Sequence, residues 1–120
     1  MEHVRHFLRA AHNSWNGLVA IAKSEKAFQQ ELVALLLGIP LAFIVATDTW
    51  RRVTLIGVLM LLLIVELLNT ALEKLADVIT RDQHPGIGWV KDMGSAAVGL
   101  SLLLAGLVWL VALAERLGFI

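Results

Sequence analysis

Three apolar runs constrain this 120-residue chain more than anything else in it. Residues 32–46 (LVALLLGIPLAFIVA) carry no charge, residues 53–72 are interrupted only by Glu66 and Asn69, and residues 94–114 carry no charge. A bilayer offers the backbone no water, so only self-bonded helices or closed barrels cross it, and about 20 apolar residues suffice for a helix. The runs predict three spans, at 30–48, 52–75 and 93–115. The first run is short alone and is extended by Gln30, Glu31 and Thr47, with a kink expected at Pro40. TDTWRR at 47–52 reads as a tight turn. Residues 78–90 read as a loop, marked by His84-Pro85-Gly86 and Gly88. Ser95 and Gly99, four apart, would allow close helix packing. Trp15, Trp50 and Trp89 suit interfacial anchoring, and Trp109 suits packing or lipid contact within the third span.

Residues 1–29 read differently. Val4, Phe7, Leu8, Ala11, Trp15, Leu18, Val19 and Ala22 keep a three–four rhythm, while Arg5, Arg9, His12, Asn13, Asn16 and Lys23 fill the other side. Such a helix lies in the membrane interface; the alternative is a soluble helix packed on a partner. The fold class is therefore an all-α membrane protein of three transmembrane helices and an N-terminal amphipathic surface helix, in one domain. The N-terminus has no compact apolar core before a cleavage site and is read as mature sequence.

Charge and composition narrow the function. Ten basic and ten acidic residues balance, which gives no reason to expect nucleic-acid binding. The absence of cysteine excludes disulfides, thiol nucleophiles and cysteine metal sites. Arg5, Arg9, Lys23, Lys26, Lys74, Arg81 and Lys91 lie on one side of the expected topology, against Arg51, Arg52 and Arg116 on the other. Seven against three places the N-terminus and the 73–92 loop in the cytoplasm.

The second span carries the chemistry. Glu66, Asn69, Glu73 and Asp77 fall at roughly 0°, −60°, −20° and +20° around a helix, a single stripe. With Arg52 at one interface, Glu66 lies about 21 Å along the axis, inside a hydrocarbon core about 30 Å thick. Glu73 follows about 10 Å later, near water. An ionisable group at membrane depth costs about 2.5–3.5 kcal/mol or more and marks a functional site by default. The stripe suits chemistry between a dissolved reagent and a lipid-embedded one. Bland alternatives are a neutral Glu66 bonded between helices, ordinary interfacial charges at Glu25, Lys26 and Asp77, and a snorkelling Lys91.

The chain has no GxxxxGK[ST] loop, no kinase-type glycine loop and no HExxH. Phosphate chemistry would need carboxylates, isolated lysines and a divalent ion, and Mg²⁺ typically takes one or two protein carboxylates with phosphates and waters. Glu25, Glu73 and Asp77 are candidate acids. Lys91-Asp92 places a cation and an acid at the same interface, where a lysine can neutralise a β- or γ-phosphate.

Glu66-Leu-Leu-Asn-Thr-Ala-Leu-Glu73, then Asp77, His84 and Lys91-Asp92-Met-Gly-Ser-Ala-Ala-Val98, resembles the signature of the prokaryotic diacylglycerol kinase family. Ser24-Glu25-Lys26-Ala27-Phe28-Gln29-Gln30-Glu31 and Ser14-Trp15-Asn16-Gly17-Leu18 resemble its surface-helix motifs, so the likeness spans nearly the whole chain. It implies ATP-dependent phosphorylation of diacylglycerol to phosphatidic acid with Mg²⁺, in the bacterial inner membrane, by a homotrimer with composite sites. By the same resemblance Glu66 is the catalytic base, and Glu25 and Glu73 hold the divalent ion. Asn69 supports the site, Asp77 and His84 line the nucleotide side, and Lys91 and Asp92 contact phosphates or ribose. Arg52 and Ser95 contact the lipid. His6 and Asn13 depart from the family, where arginine and an aromatic are common.

Two other activities compete. A related branch phosphorylates undecaprenol; its last motif tends to read AAGAV rather than Gly94-Ser-Ala-Ala-Val98. A small proton-coupled transporter would use Glu66 as a relay, although an odd number of spans and acids continuing into the loop argue against it. A purely structural subunit leaves the stripe unexplained.

Overall fold

Short non-helical links cut the chain at three places. Glu25 is extended (φ −111°, ψ 112°) and separates α1 (Glu2–Ser24) from α2 (Lys26–Val45). Ala46 is extended too, and Asp48 then caps α3 (Thr49–Ile79) by accepting a 3.3 Å hydrogen bond from the Arg51 backbone N–H. Thr80 ends α3, and His84 caps α4 (Pro85–Arg116), its Nδ1 accepting from the Gly86 N–H at 3.0 Å. Capping satisfies donors that a helix start leaves unpaired. The computed structural model describes all 120 residues, as these four helices and no strand.

Three helices are long and apolar enough to cross a membrane: α2, α3 and α4. With α1 amphipathic, this is the all-α membrane fold expected. The radius of gyration is 17.7 Å, against about 14 Å for a compact soluble domain of this length. Only 15 of 120 residues are buried, while Leu36, Leu103 and Leu110 are 60%, 71% and 67% exposed. The apolar surface therefore points outward, as a lipid solvent allows.

Small residues bring the helices together, as membrane helices require when lipid is as apolar as leucine. Gly38 and Ala42 of α2 and Ala46 just after it are buried, as are Gly94, Ser101, Ala105 and Ala112 of α4. A Cβ on Gly38 would meet Leu59 of α3 and approach Trp109 of α4. Trp109 donates its indole N–H to the Leu55 carbonyl at 3.1 Å, so its role is packing.

Helix ends differ from expectation in three places. The surface segment expected over 1–29 divides at Glu25, because the extended residue there turns the chain into α2. The loop expected over 78–90 is only Thr80–His84. Pro85 takes the first turn of α4, where its missing N–H costs nothing, and Gly86 and Gly88 are helical. The turn expected over 47–52 ends at Asp48, which caps a helix already begun at Thr49. Ser95 is exposed and a Cβ on Gly99 would meet nothing, so this pair does not bring α4 to another helix of its own chain; the face of α4 packed within the chain runs through Gly94, Ser101, Ala105 and Ala112.

Length differences set the site. At 1.5 Å per residue α2 is about 30 Å long, whereas α3 and α4 reach about 46–48 Å. The surplus projects where α3 ends and α4 begins. Glu73 and Asp77 sit on that projection, with α1 entering alongside through Glu25.

Candidate active site

The stripe of α3 holds its acids at graded depth. Glu66 is 6% exposed, Asn69 is 9% exposed, and Thr70 between them and Glu73 is buried. Glu73 is half-buried and Asp77 is exposed. One helix thus carries carboxylates from a lipid-depth interior out to solvent.

Neighbouring elements converge on it. Asn69 donates from Nδ2 to Glu73 Oε1 at 3.3 Å, which orients that carboxylate, while its own Oδ1 is buried without a partner. A Cβ on Gly94 of α4 would collide with that Oδ1, so glycine is what lets α4 close over Asn69. Glu25, in the α1–α2 break, pairs with Lys74 Nζ at 3.6 Å. Glu25 and Glu73 both lie near enough to act electrostatically on Glu66. Lys91 Nζ donates to Asp77 Oδ1 at 3.0 Å, tying the start of α4 to the end of α3. Asp77 lies beyond the span. That hydrogen bond and the ammonium charge, with Arg81 and Lys74 adding to them, hold its carboxyl below the usual carboxylate range.

Two cavities flank this column. One of about 420 Å³ is wholly apolar and lies where α1, α2 and α3 meet; Trp15, Leu18, Phe28, Leu32, Leu63 and Leu67 are among its walls. Leu63 and Leu67 stand on either side of Glu66 along α3. The other, of about 530 Å³, is polar and is formed by the α3–α4 link, with Arg81, Asp82, His84, Gly88 and Lys91 around it. Both fall in the size range of small-molecule sites.

Not every expected residue joins them. His84 is exposed at the polar cavity and spends Nδ1 on its helix cap. Asp92 and Ser95, three residues apart, are exposed on one face of α4, turned away from the face that Gly94 presents to α3. Arg52 is apart altogether, at the opposite end of α3 and about 21 Å along the axis from Glu66. There it donates from Nε to the Ala46 carbonyl at 3.2 Å and stacks 4.8 Å from the Phe43 ring centroid. Its place is the end of α2. Glu31 was not among the expected site residues, yet it faces Glu66 electrostatically and its buried Oε2 has no partner.

No three acids or histidines of the chain converge as a ready metal site. The donor set still fits a magnesium ion arriving on phosphates, since such an ion needs only one or two protein carboxylates. Among the acids here, Glu73, steadied by Asn69, and Glu25 could supply them.

Fold and site together define a small α-helical membrane protein whose acids run at graded depth along one helix, with an apolar cavity beside that helix and a polar one past its end. The sequence model described as prokaryotic diacylglycerol kinase matches residues 12–113, and the chain belongs to that family. It is 42% identical over 111 residues to the diacylglycerol kinase of Escherichia coli K12, covering 92% of this chain and 91% of that one. The Pseudomonas aeruginosa diacylglycerol kinase is 36% identical over 106 residues, covering 88% and 86%. That of Haemophilus influenzae is 34% identical over 104 residues, covering 87% and 88%. Membership makes this chain a transferase of the lipid-kinase class, in a membrane.

Proposed function

We propose that the protein transfers the γ-phosphoryl group of ATP to diacylglycerol, giving phosphatidic acid and ADP, at the cytoplasmic face of a bacterial inner membrane. The observation that carries this reading is the burial of Glu66 at the deep end of a column of acids, beside residues of α3 that wall an apolar cavity. The relatives' names supply the lipid. Seven basic residues on the acid-rich side against three on the other favour an N-terminus in the cytoplasm, where ATP is found.

The mechanism asks little covalent work of the protein, because phosphoryl transfer is mainly positioning and charge stabilisation. The apolar cavity receives acyl chains, which leaves the lipid's hydroxyl beside Glu66. Glu66 accepts the hydroxyl proton as the oxygen attacks the γ-phosphorus. The new P–O bond forms while the bond from γ-phosphorus to the bridging oxygen breaks, and ADP leaves with that electron pair. Glu25 and Glu73 would hold magnesium, which when bound offsets negative charge on the phosphates. Lys91, freed from Asp77, adds a cation to the phosphates, and the α3–α4 link encloses the nucleotide. Asn69 keeps Glu73 in place.

A homotrimer with composite sites belongs to the same proposal. Exposed Asp92 and Ser95, which do not face their own α3, are available to a neighbouring copy.

The test is purified protein in detergent with magnesium, labelled ATP and, separately, diacylglycerol, undecaprenol or no lipid. Lipid-dependent label in phosphatidic acid is the expected result. Label only in a polyprenyl phosphate would replace the lipid in this scheme, and no transfer to any lipid would end it.

A further inference from the structure

Glu31 lies outside every role assigned above, and the register of α2 against α3 decides where it points. The helices are antiparallel. Gly38 lies against Leu59, and Ala42 packs in one cluster with Leu55, one turn further in opposite directions along the two helices. Two turns the other way, the same register brings Glu31 opposite Glu66. Their neighbours agree: Phe28 and Leu32 beside Glu31, and Leu63 and Leu67 beside Glu66, wall the same apolar cavity. Glu31 is half-buried, and its buried Oε2 has no hydrogen-bond partner in the chain. A buried polar atom without a partner is costly, so it points to a use.

Two carboxylates held opposite each other and largely out of water can share one proton through a hydrogen bond. We propose that Glu31 is a positioning residue for Glu66: as the neutral acid it donates a hydrogen bond to one Glu66 oxygen and turns the other towards the lipid hydroxyl. When the hydroxyl O–H bond breaks, its proton passes to Glu66, and Glu31 keeps its own. The arrangement leaves one negative charge at the base and places Glu31 beside the acceptor alcohol rather than the nucleotide. The role rests on the kinase reading above.

Two substitutions test it in the full-length protein, in mixed micelles with dioleoylglycerol and MgATP. Glu31→Leu fills the volume but cannot hydrogen-bond; Glu31→Gln keeps an N–H donor without a charge. A misplaced reacting group can cost about 100-fold, so Glu31→Leu is expected to lower kcat by about that factor. Calorimetric affinity for a non-hydrolysable nucleotide should stay at the wild-type value in both variants, and Glu31→Gln should recover most of kcat. Wild-type turnover in Glu31→Leu makes the residue mere packing and overturns the proposal. A folded, nucleotide-binding Glu31→Gln as slow as Glu31→Leu overturns it as well, because the charge would then matter and not the donor. Loss of nucleotide binding in Glu31→Gln moves the residue to the metal and also overturns it. A wild-type protein that phosphorylates no diacylglycerol overturns the kinase reading and this role together, whereas the three variant outcomes leave that reading intact.

Discussion

Glu66 and Glu73 are separated by two turns of one helix, and the proposed chemistry divides between them. Glu66→Gln removes a proton acceptor but no metal ligand, so turnover should fall by at least about 100-fold with nucleotide affinity nearly unchanged. Glu73→Gln should weaken MgATP binding as well as turnover. Calorimetry with a non-hydrolysable nucleotide separates the two, and equal loss of affinity in both would sink the assignment. Gly94 makes a different demand, since any Cβ there strikes Asn69. Overpacking of a close helix contact costs about 1–3 kcal/mol, so Gly94→Ala should lower the melting temperature in detergent and loosen Glu73 through Asn69, raising KM for MgATP. An unchanged KM would detach Asn69 from the nucleotide side. Asp77 offers a pH test. Because Lys91 holds its carboxyl below the usual range, the ion pair persists at neutral pH, through the ordinary carboxylate range, and is lost only as pH falls through the depressed value. Carbon NMR of the Asp77 carboxyl should show this titration move upward in Lys91→Met. An unmoved titration would mean that the pair does not form in solution.

Helices were legible where a single rule governs them. Apolar length alone located the three spans, and the three–four rhythm of Val4 to Ala22 located the surface helix. Ends were less legible, because His84-Pro85-Gly86 is equally good as a turn and as a cap followed by a first-turn proline; the outcome depends on α4 packing back on α3. Glu31 was missed for a related reason. A lone acid at the edge of an apolar run looks like a flank, and only the antiparallel register of two helices turns it towards Glu66. Arg52 keeps the depth that the helix rise gives it, about 21 Å along the axis from the base, so a lipid contact there is made away from the reacting hydroxyl. The elements also make a topological prediction. Three crossings place the α3–α4 link and the C-terminus on opposite sides, and the basic residues favour the link inside. Asp82→Cys should react with an impermeant thiol reagent only in opened cells, and Phe119→Cys in intact spheroplasts. No native cysteine interferes. The reverse pattern would put the acid column away from ATP.

At the scale of the whole molecule the open choice is the lipid. The polar half of the site would act alike on any alcohol that reaches Glu66, and a polyprenol and a diacylglycerol both bring one hydroxyl to the interface. Selection therefore falls to the apolar side, where α1 closes over α2 and α3. Its cavity of about 420 Å³ is walled by hydrophobic side chains, with no charged wall to reject the wrong headgroup. A methylene that fits or fails to fit such a pocket is worth only about 1–3 kcal/mol, so the enzyme should prefer rather than exclude. We expect diacylglycerol to lead undecaprenol by at least about tenfold in kcat/KM, a difference of about 1.4 kcal/mol. Competition of the two lipids at equal mole fraction in one micelle measures that ratio directly. Enlarging the cavity with Leu63→Ala should move it towards the polyprenol, while Lys91→Met should slow both lipids alike. If the ratio ignores Leu63 and follows Lys91 instead, the lipid is chosen at the phosphate end and the apolar cavity is not its seat.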